Sequence, residues 1–269
     1  MTVSTPRSIN AVTGTSVMFT RVLTVYRHSP GLAAVMLAAP LGMMLLFGFV
    51  FGGALSGGAD ASAYRSFLTP GILVLVAAMG LIATASTANA DMNSGLTDRL
   101  RTLPVRTVAI PSGLALAEAL IGIVALAAMA GVGFLSGWRI DATATDILLA
   151  LLLLIAFRLA FAWLGIVLGL LIRDEQMLQQ LAPLIFGAIM LSNVFVPTDT
   201  MPSIVGTIAE WNPVSAVVEA LRQLFGAAST VSADAAWPMH HPVVAAFGWV
   251  ALILALSIPA AASRYSSNP

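Results

Sequence analysis

The sequence predicts an all-α membrane protein with six transmembrane helices and amphipathic helices outside them, and three observations carry that prediction. Hydrophobic residues fill 59% of the 269 positions and charged residues 9%, with a mean hydropathy of +0.95, a balance foreign to soluble domains. Six apolar runs close to the roughly 20 residues a helix needs to cross a bilayer core hold at most one charge each. The arginines are spread unevenly over the connections between those runs, as the positive-inside rule requires.

The elements follow in chain order. Arg7, Arg21 and Arg27 are dispersed, and the apolar run after them is too long for the core of a cleaved secretory leader; a mature, cytosolic N-terminus is expected. Residues 14–28 (GTSVMFTRVLTVYRH) place Met18, Phe19, Val22, Leu23, Val25 and Tyr26 on one face, with Thr20, Arg21, Thr24 and Arg27 opposing them, and Pro30 ends the pattern. This is an interfacial helix, acting either as a plain anchor or as an elbow toward a cytosolic partner. The spans are expected at 31–55, 70–90, 110–135, 147–172, 181–197 and 243–262, the fifth being the shortest. The pairs Gly48/Gly52 and Gly165/Gly169 allow close helix approach, within the chain or across a dimer seam. Pro40 and Pro183 interrupt spans one and five.

Orientation comes from the basic residues, all of which are arginine. Arg7, Arg21 and Arg27 precede span one, Arg99, Arg101 and Arg106 lie in the 91–109 connection, and Arg173 and Arg264 flank spans four and six. Only Arg65, Arg139 and Arg222 lie on the opposite side. The excess marks the cytosol, so both termini are inside and the segments 56–69, 136–146 and 198–242 face outward.

Two connections have helical signals of their own. In the cytosolic DMNSGLTDRLRTLPVR, Met92, Leu96, Leu100 and Leu103 recur at helical spacing, Asp98, Arg99 and Arg101 lie between them, and Pro104 stops the pattern. That helix either turns its arginines to anionic lipid or seats in a groove of a soluble ATPase. On the outer side Asn212 can cap a helix, Pro213 suits its first position, and Val214, Val217, Val218, Leu221 and Phe225 form a stripe. Glu219 and Arg222 can pair at i,i+3, and Gly226 terminates the helix. It lies on the outer leaflet, or it dips back as a half-helix capping a pathway.

Inside the spans Arg158 has to face protein or water rather than lipid, and Glu118 is the one intramembrane carboxylate. Counted from the cytosolic ends of their spans, Arg158 lies roughly 20 Å deep and Glu118 roughly 10 Å, a gap that an arginine side chain closes only in part. Backbone carbonyls, a water-filled cavity, a second copy of the chain or an anionic substrate headgroup are the other partners open to Arg158.

Cysteine is absent, which excludes disulfides, thiolate metal sites and Cys nucleophiles. His28, His240 and His241 are too scattered for a catalytic zinc, and no convergent nucleophile, paired aspartate or zinc motif lies in the spans. An ion-driven transporter would show several membrane carboxylates, where only Glu118 qualifies. No catalytic, cofactor-binding or metal-ligating residue is expected, and no nucleic-acid partner.

The chain resembles the ABC-2 type transporter permeases, especially the daunorubicin-resistance-like branch, over nearly its whole length. The resemblance rests on the helix before span one, on YRSFLTPG (Tyr64 to Gly71) leading into span two, on DMNSGLTDRLRTLPVR, and on WNPVSAVVEALRQLFG before the last span. Asp91, Gly95, Leu96, Asp98, Arg99, Leu100, Arg101, Leu103 and Pro104 occupy places comparable to the family's "ERxxGTLxRLRxLP"-like loop, while Met92 and Asn93 depart from its more charged start. The resemblance implies the ABC-2 exporter fold, pairing with a second copy or a related permease, and two ABC ATPase subunits that hold ATP and Mg. It implies a coupling helix over 91–104, with Leu96, Asp98, Arg99, Leu100, Arg101, Leu103 and Pro104 at the ATPase contact. It also implies re-entrant outer helices over 202–226, with Asn212, Pro213, Glu219 and Arg222 at the gate, and export of an amphipathic drug, antibiotic or lipid-like substrate past Arg158 and Glu118. The residues agree on one negative: a chain without lysine cannot contain the phosphate-binding G-x-x-x-x-G-K-[ST] loop. The lack of lysine beside abundant alanine and arginine suits a GC-rich bacterial genome, and a bacterial inner membrane is the expected home.

Overall fold

The computed structural model describes residues 11–50, 61–95, 108–172, 174–227 and 231–266. These form α1 (Ala11–His28), α2 (Pro30–Leu45) running on through a π-helical turn (Leu46–Val50), α3 (Ala61–Asn93), α4 (Ala109–Leu135), α5 (Ala144–Leu171), α6 (Glu175–Met190), α7 (Ser203–Glu210), α8 (Pro213–Leu224), α9 (Trp237–His240) and α10 (Pro242–Ser266). Among the described residues four helices are long and apolar enough to cross a membrane: α3, α4, α5 and α10. The helical run ending at Val50 and α6 are apolar but shorter. The predicted coupling segment from Leu96 to Pro104 lies outside the described residues, as do residues 51–55 of the first expected span, Gly52, Arg7, Arg106 and Arg173.

Polar residues set the helix ends. Thr143 accepts a hydrogen bond from the Asp146 N–H (3.2 Å) while its hydroxyl donates to the Asp146 carboxylate (2.6 Å), which fixes the start of α5. Asp174 caps α6 through the Gln176 N–H (2.8 Å), and Asn212 caps α8 through the Val214 N–H (2.9 Å), with Pro213 behind it. Gly226 ends α8 at φ +76°, letting the Ala227 N–H reach the Arg222 carbonyl at 2.9 Å.

The core is built around α3, which packs against α5, α4, α8 and α6. A Cβ on Gly165 would fall 2.5 Å from the Leu81 carbonyl oxygen and one on Gly169 would fall 2.3 Å from that of Ala85. The backbone of α5 therefore rests directly on α3, and this small-residue pair serves packing within the chain. Away from this core, Val124, Leu148, Leu184 and Leu256 stand outward and exposed, a surface suited to hydrocarbon.

Three expectations need correction. The fifth span was expected over 181–197, but α6 begins at Glu175 and ends at Met190. The Asn212 side-chain amide donates to the Ala188 carbonyl (2.9 Å) and the Leu191 carbonyl (2.6 Å), which closes the helix there and turns 191–197 away from its axis. The apolar face of α1 is narrower than the pattern suggested: Met18 and Val22 are buried against α4, whereas Val25 is 49% exposed. A Cβ on Gly113 would meet the Thr15 carbonyl at 2.6 Å, so backbone contact, rather than a wide apolar stripe, holds α1 on α4. The outer helix α8 does not lie on a membrane surface; Glu219 and Arg222 are as buried as Val217 and Leu221, because α3, α5 and α10 pack around it.

Candidate functional site

Among the described residues three buried or part-buried polar clusters lie along α3, at its two ends and its middle. The middle one holds the intramembrane charges. Arg158 on α5 is 0% exposed and donates through Nη2 to the Glu118 backbone carbonyl (2.8 Å) and to its carboxylate (3.4 Å). The guanidinium lies where two glycines leave room: a Cβ on Gly80 would fall 1.2 Å from Nη1, and one on Gly122 would fall 2.0 Å from Nε. Those two nitrogens, Nε and Nη1, have no hydrogen-bond partner.

This corrects the expected depth mismatch between Arg158 and Glu118. Counted at 1.5 Å per residue, Gly122 lies roughly 20 Å along α4 from Ala109, the same depth as Arg158 counted back from Leu171. With no side chain at Gly122, the guanidinium settles over it and reaches the Glu118 carbonyl one turn away. Of the partners considered for Arg158, Glu118 and a backbone carbonyl lie within hydrogen-bond reach.

Glu118 extends the cluster toward α1. Its Oε1 accepts from the Tyr26 hydroxyl and from Thr87, both at 3.4 Å. Burial, and then the nearby Glu118 charge, push the Tyr26 phenol up to about 12, so it stays a protonated donor near neutral pH. The helix before the first span thus contacts the buried ion pair directly.

The second cluster lies at the end of α3 that leads into the predicted coupling segment. Arg21 holds Asp91 with two hydrogen bonds, 2.7 and 2.6 Å, a fork-to-fork pair that raises the Arg21 pKa further. Next to it the Asn89 amide donates to the Ile172 carbonyl at the end of α5, and Asn93 donates to Asn89 (3.0 Å). Arg21 was expected on the polar face opposing the membrane; it reaches across to α3 instead.

The third cluster lies at the other end. Arg222 donates to the carbonyls of Phe67 (3.1 Å), Asn193 (2.9 Å) and Val194 (3.3 Å) and to Glu219 (3.5 Å), with its guanidinium 3.5 Å from the centre of the Phe67 ring. The Asn193 amide donates to Glu219 (3.3 Å), and Tyr64 donates to the Phe195 carbonyl (3.1 Å). Of the four predicted outer residues, Glu219 and Arg222 meet in this cluster, which ties α8 and 191–197 to α3, while Asn212 and Pro213 start the helix that carries the pair and Asn212 bonds Ala188 and Leu191 instead.

Two hollows adjoin the clusters. One, of about 460 Å³, opens between α1, α3 and the start of α6, beside Arg21, Tyr26, Thr87, Asp91 and Glu175. The other, about 790 Å³ and nearly all apolar, runs from Leu164 and Ile185 to Trp211. Among the described residues no group of His, Asp and Glu is arranged to hold a metal ion.

Sequence reasoning missed Gly80, Thr87, Gly122, Asn193 and the Arg21–Asp91 pair. One signal was present: Gly80, Thr84, Thr87 and Asp91 follow i, i+4, i+7, i+11 spacing, a small and polar stripe along one face of an otherwise apolar helix.

The family model described as ABC-2 type transporter matches residues 13–225, from α1 to the end of α8. The daunorubicin resistance ABC transporter permease protein DrrB1 of Streptomyces coeruleorubidus is 30% identical over 220 residues, which cover 81% of this chain and 77% of that protein.

Proposed function

Because the chain belongs to the ABC-2 type transporter permeases, multi-pass membrane proteins that work with ABC ATPases, we propose that it is the membrane-spanning subunit of an ATP-driven exporter of amphipathic drugs, antibiotics or lipid-like molecules. In this reading two copies, or one copy and a related permease, span a bacterial inner membrane with their termini in the cytosol. Two separate ATPases bind ATP and Mg and grip the segment 91–104. The helices ending at Val50 and Met190 complete six spans, and α7 and α8 form the re-entrant outer gate.

The observation that carries the proposal is the family match over 13–225, which takes in the 91–104 segment together with the outer helices. The similarity to a drug-resistance permease supports export of an amphipathic molecule. The clusters add a route for motion: ATPase closure would move 91–104, and Asp91 at the head of that segment is tied through Arg21 to α1. The ion-driven alternative draws no support from Glu118, which is 0% exposed and engaged by Arg158, Tyr26 and Thr87.

The test is purification of the tagged chain from native membranes in detergent, with ATPase activity measured on the complex, for wild type and Leu100→Asp. A separate ATPase that copurifies with wild type and is lost with Leu100→Asp supports the reading. A stable wild-type protein that never brings an ATPase with it overturns the reading.

A further inference from the structure

Helix α6 is lightly embedded in the rest of the chain: of its 16 residues only Leu178 and Ile189 are buried. Its two ends are held instead, each by the side-chain amide of an asparagine. Near the 91–104 segment, α5 stops at Ile172, where the backbone turns extended, and Asp174 caps the start of α6. Asn89 of α3, 1% exposed, donates its amide to the Ile172 carbonyl and to that of Gly169 (3.5 Å). Its oxygen is taken by the Asn93 amide (3.0 Å), so its nitrogen faces α5. A side chain this short reaches across because Gly169, with no Cβ, lies directly on the Ala85 carbonyl one turn back along α3. At the other end the Asn212 amide donates to the Ala188 and Leu191 carbonyls (2.9 and 2.6 Å), while its oxygen caps α8.

Resting on the export reading above, we propose that α6 is the rod that carries movement of the 91–104 segment to α8, with Asn89 and Asn212 as the positioning residues that fasten its ends. Asn89 lies beside Asp91, at the head of that segment, and Asn212 starts the helix that carries Arg222. Helix α3 runs between the same two regions but is locked to α5 by the backbone contacts at Gly165 and Gly169, and sliding it breaks that packing. Helix α6 has two buried side chains to displace, and the hydrogen bonds at its ends travel with it.

The experiment uses the full chain with its copurified ATPase in nanodiscs, carrying Ser192→Cys as a reporter just beyond α6, where Ser192 is buried. Labelling by an impermeant maleimide is compared without nucleotide and after trapping with ATP, Mg and vanadate. Trapping raises labelling in the parent. Asn89→Leu keeps the size of the side chain and removes its donors; Asn212→Asp keeps the cap of α8 and removes the donors to Ala188 and Leu191. Both variants keep the ATPase bound and turning over, and both lose the rise in labelling, which a merely structural role would leave in place. A second measurement, amide hydrogen exchange on the chain alone, localises each fastening: Asn89→Leu speeds exchange at 176–178, and Asn212→Asp at 191–192. A rise in labelling that survives either substitution, ATPase lost with Asn89→Leu, or exchange that speeds throughout the chain each overturns the proposal. A parent that holds its ATPase and shows no rise on trapping overturns it and leaves the export reading standing, whereas a parent that brings no ATPase overturns both.

Discussion

Replacing Gly80 by alanine tests the middle cluster most directly, because the expected sign is the opposite of the ordinary one. In an unobstructed helix Gly→Ala stabilises by about 0.5–1 kcal/mol. At Gly80 the new Cβ would lie 1.2 Å from Arg158 Nη1, 2.0 Å from Cζ and 2.7 Å from Nη2, so the whole guanidinium has to leave its seat. Leaving forfeits the 2.8 Å hydrogen bond to the Glu118 carbonyl, about 1.5–3 kcal/mol for a charged donor, and separates a buried ion pair, where loss of one partner costs about 3–5 kcal/mol. These two costs overlap, and with the helix gain deducted the variant is about 2–4 kcal/mol less stable. The assay is reversible unfolding in mixed micelles followed by helical circular dichroism. Gly131→Ala and Gly248→Ala, where a Cβ meets nothing within 4 Å, serve as controls and are neutral or slightly stabilising. In an Arg158→Met, Glu118→Gln background the Gly80→Ala penalty disappears. A Gly80→Ala protein as stable as wild type, or a penalty that persists in that background, refutes the reasoning.

Three further outcomes are expected. Gly169→Ala drives a Cβ to 2.3 Å from the Ala85 carbonyl and spreads α3 from α5, at a cost of about 1–3 kcal/mol in the same unfolding assay. Asp91→Asn releases Arg21; since the arginine side chain is 39% exposed, the stability cost is at most about 1 kcal/mol, but α1 becomes more susceptible to limited proteolysis, and an unchanged digestion pattern counts against the tie. Arg222→Lys cannot serve three carbonyls and the Phe67 ring together. It opens the 191–197 turn, so a cysteine placed at buried Ser192 in this cysteine-free chain reacts with an impermeant maleimide in the variant and stays protected in the parent.

Much of the fold was legible because lipid imposes a simple code. Long apolar runs located α4, α5 and α10 to within about four residues at each end, α3 extends nine residues before and three beyond the expected 70–90, and cap chemistry at Asn212, Pro213 and Gly226 gave both ends of α8. The errors share one physical cause. Amphipathic patterns were read as the boundary between a helix and its solvent, whereas Arg21 of α1 and the polar face of α8 meet other helices. Arg21 finds Asp91, and Arg222 finds Asn193 and Phe67, across sequence separations that no periodicity can report. Glu118 and Arg158 were identified singly; their pairing depended on Gly122, a residue whose contribution is the side chain it lacks.

All three clusters are fastened to α3, and this constrains how the protein can move. Tyr64 and the Phe67 carbonyl belong to the Arg222 cluster, Gly80 and Thr87 to the Arg158 cluster, and Asp91 to the Arg21 pair. Gly165 and Gly169 press α5 against the same helix at a distance that leaves no room for a side chain. Sliding α3 along α5 would force those backbones past each other and break all three clusters together. A rotation that carries α3, α4 and α5 as one body leaves the Arg158–Glu118 pair intact and loads the Arg21–Asp91 pair and the Arg222 contacts. Close packing makes such contacts two-state rather than elastic. Under the proposed exporter function, the two end clusters are the places where a push on the segment after Asn93 would convert into release of the helix that carries Arg222, with the buried Arg158–Glu118 pair as the fixed point between them.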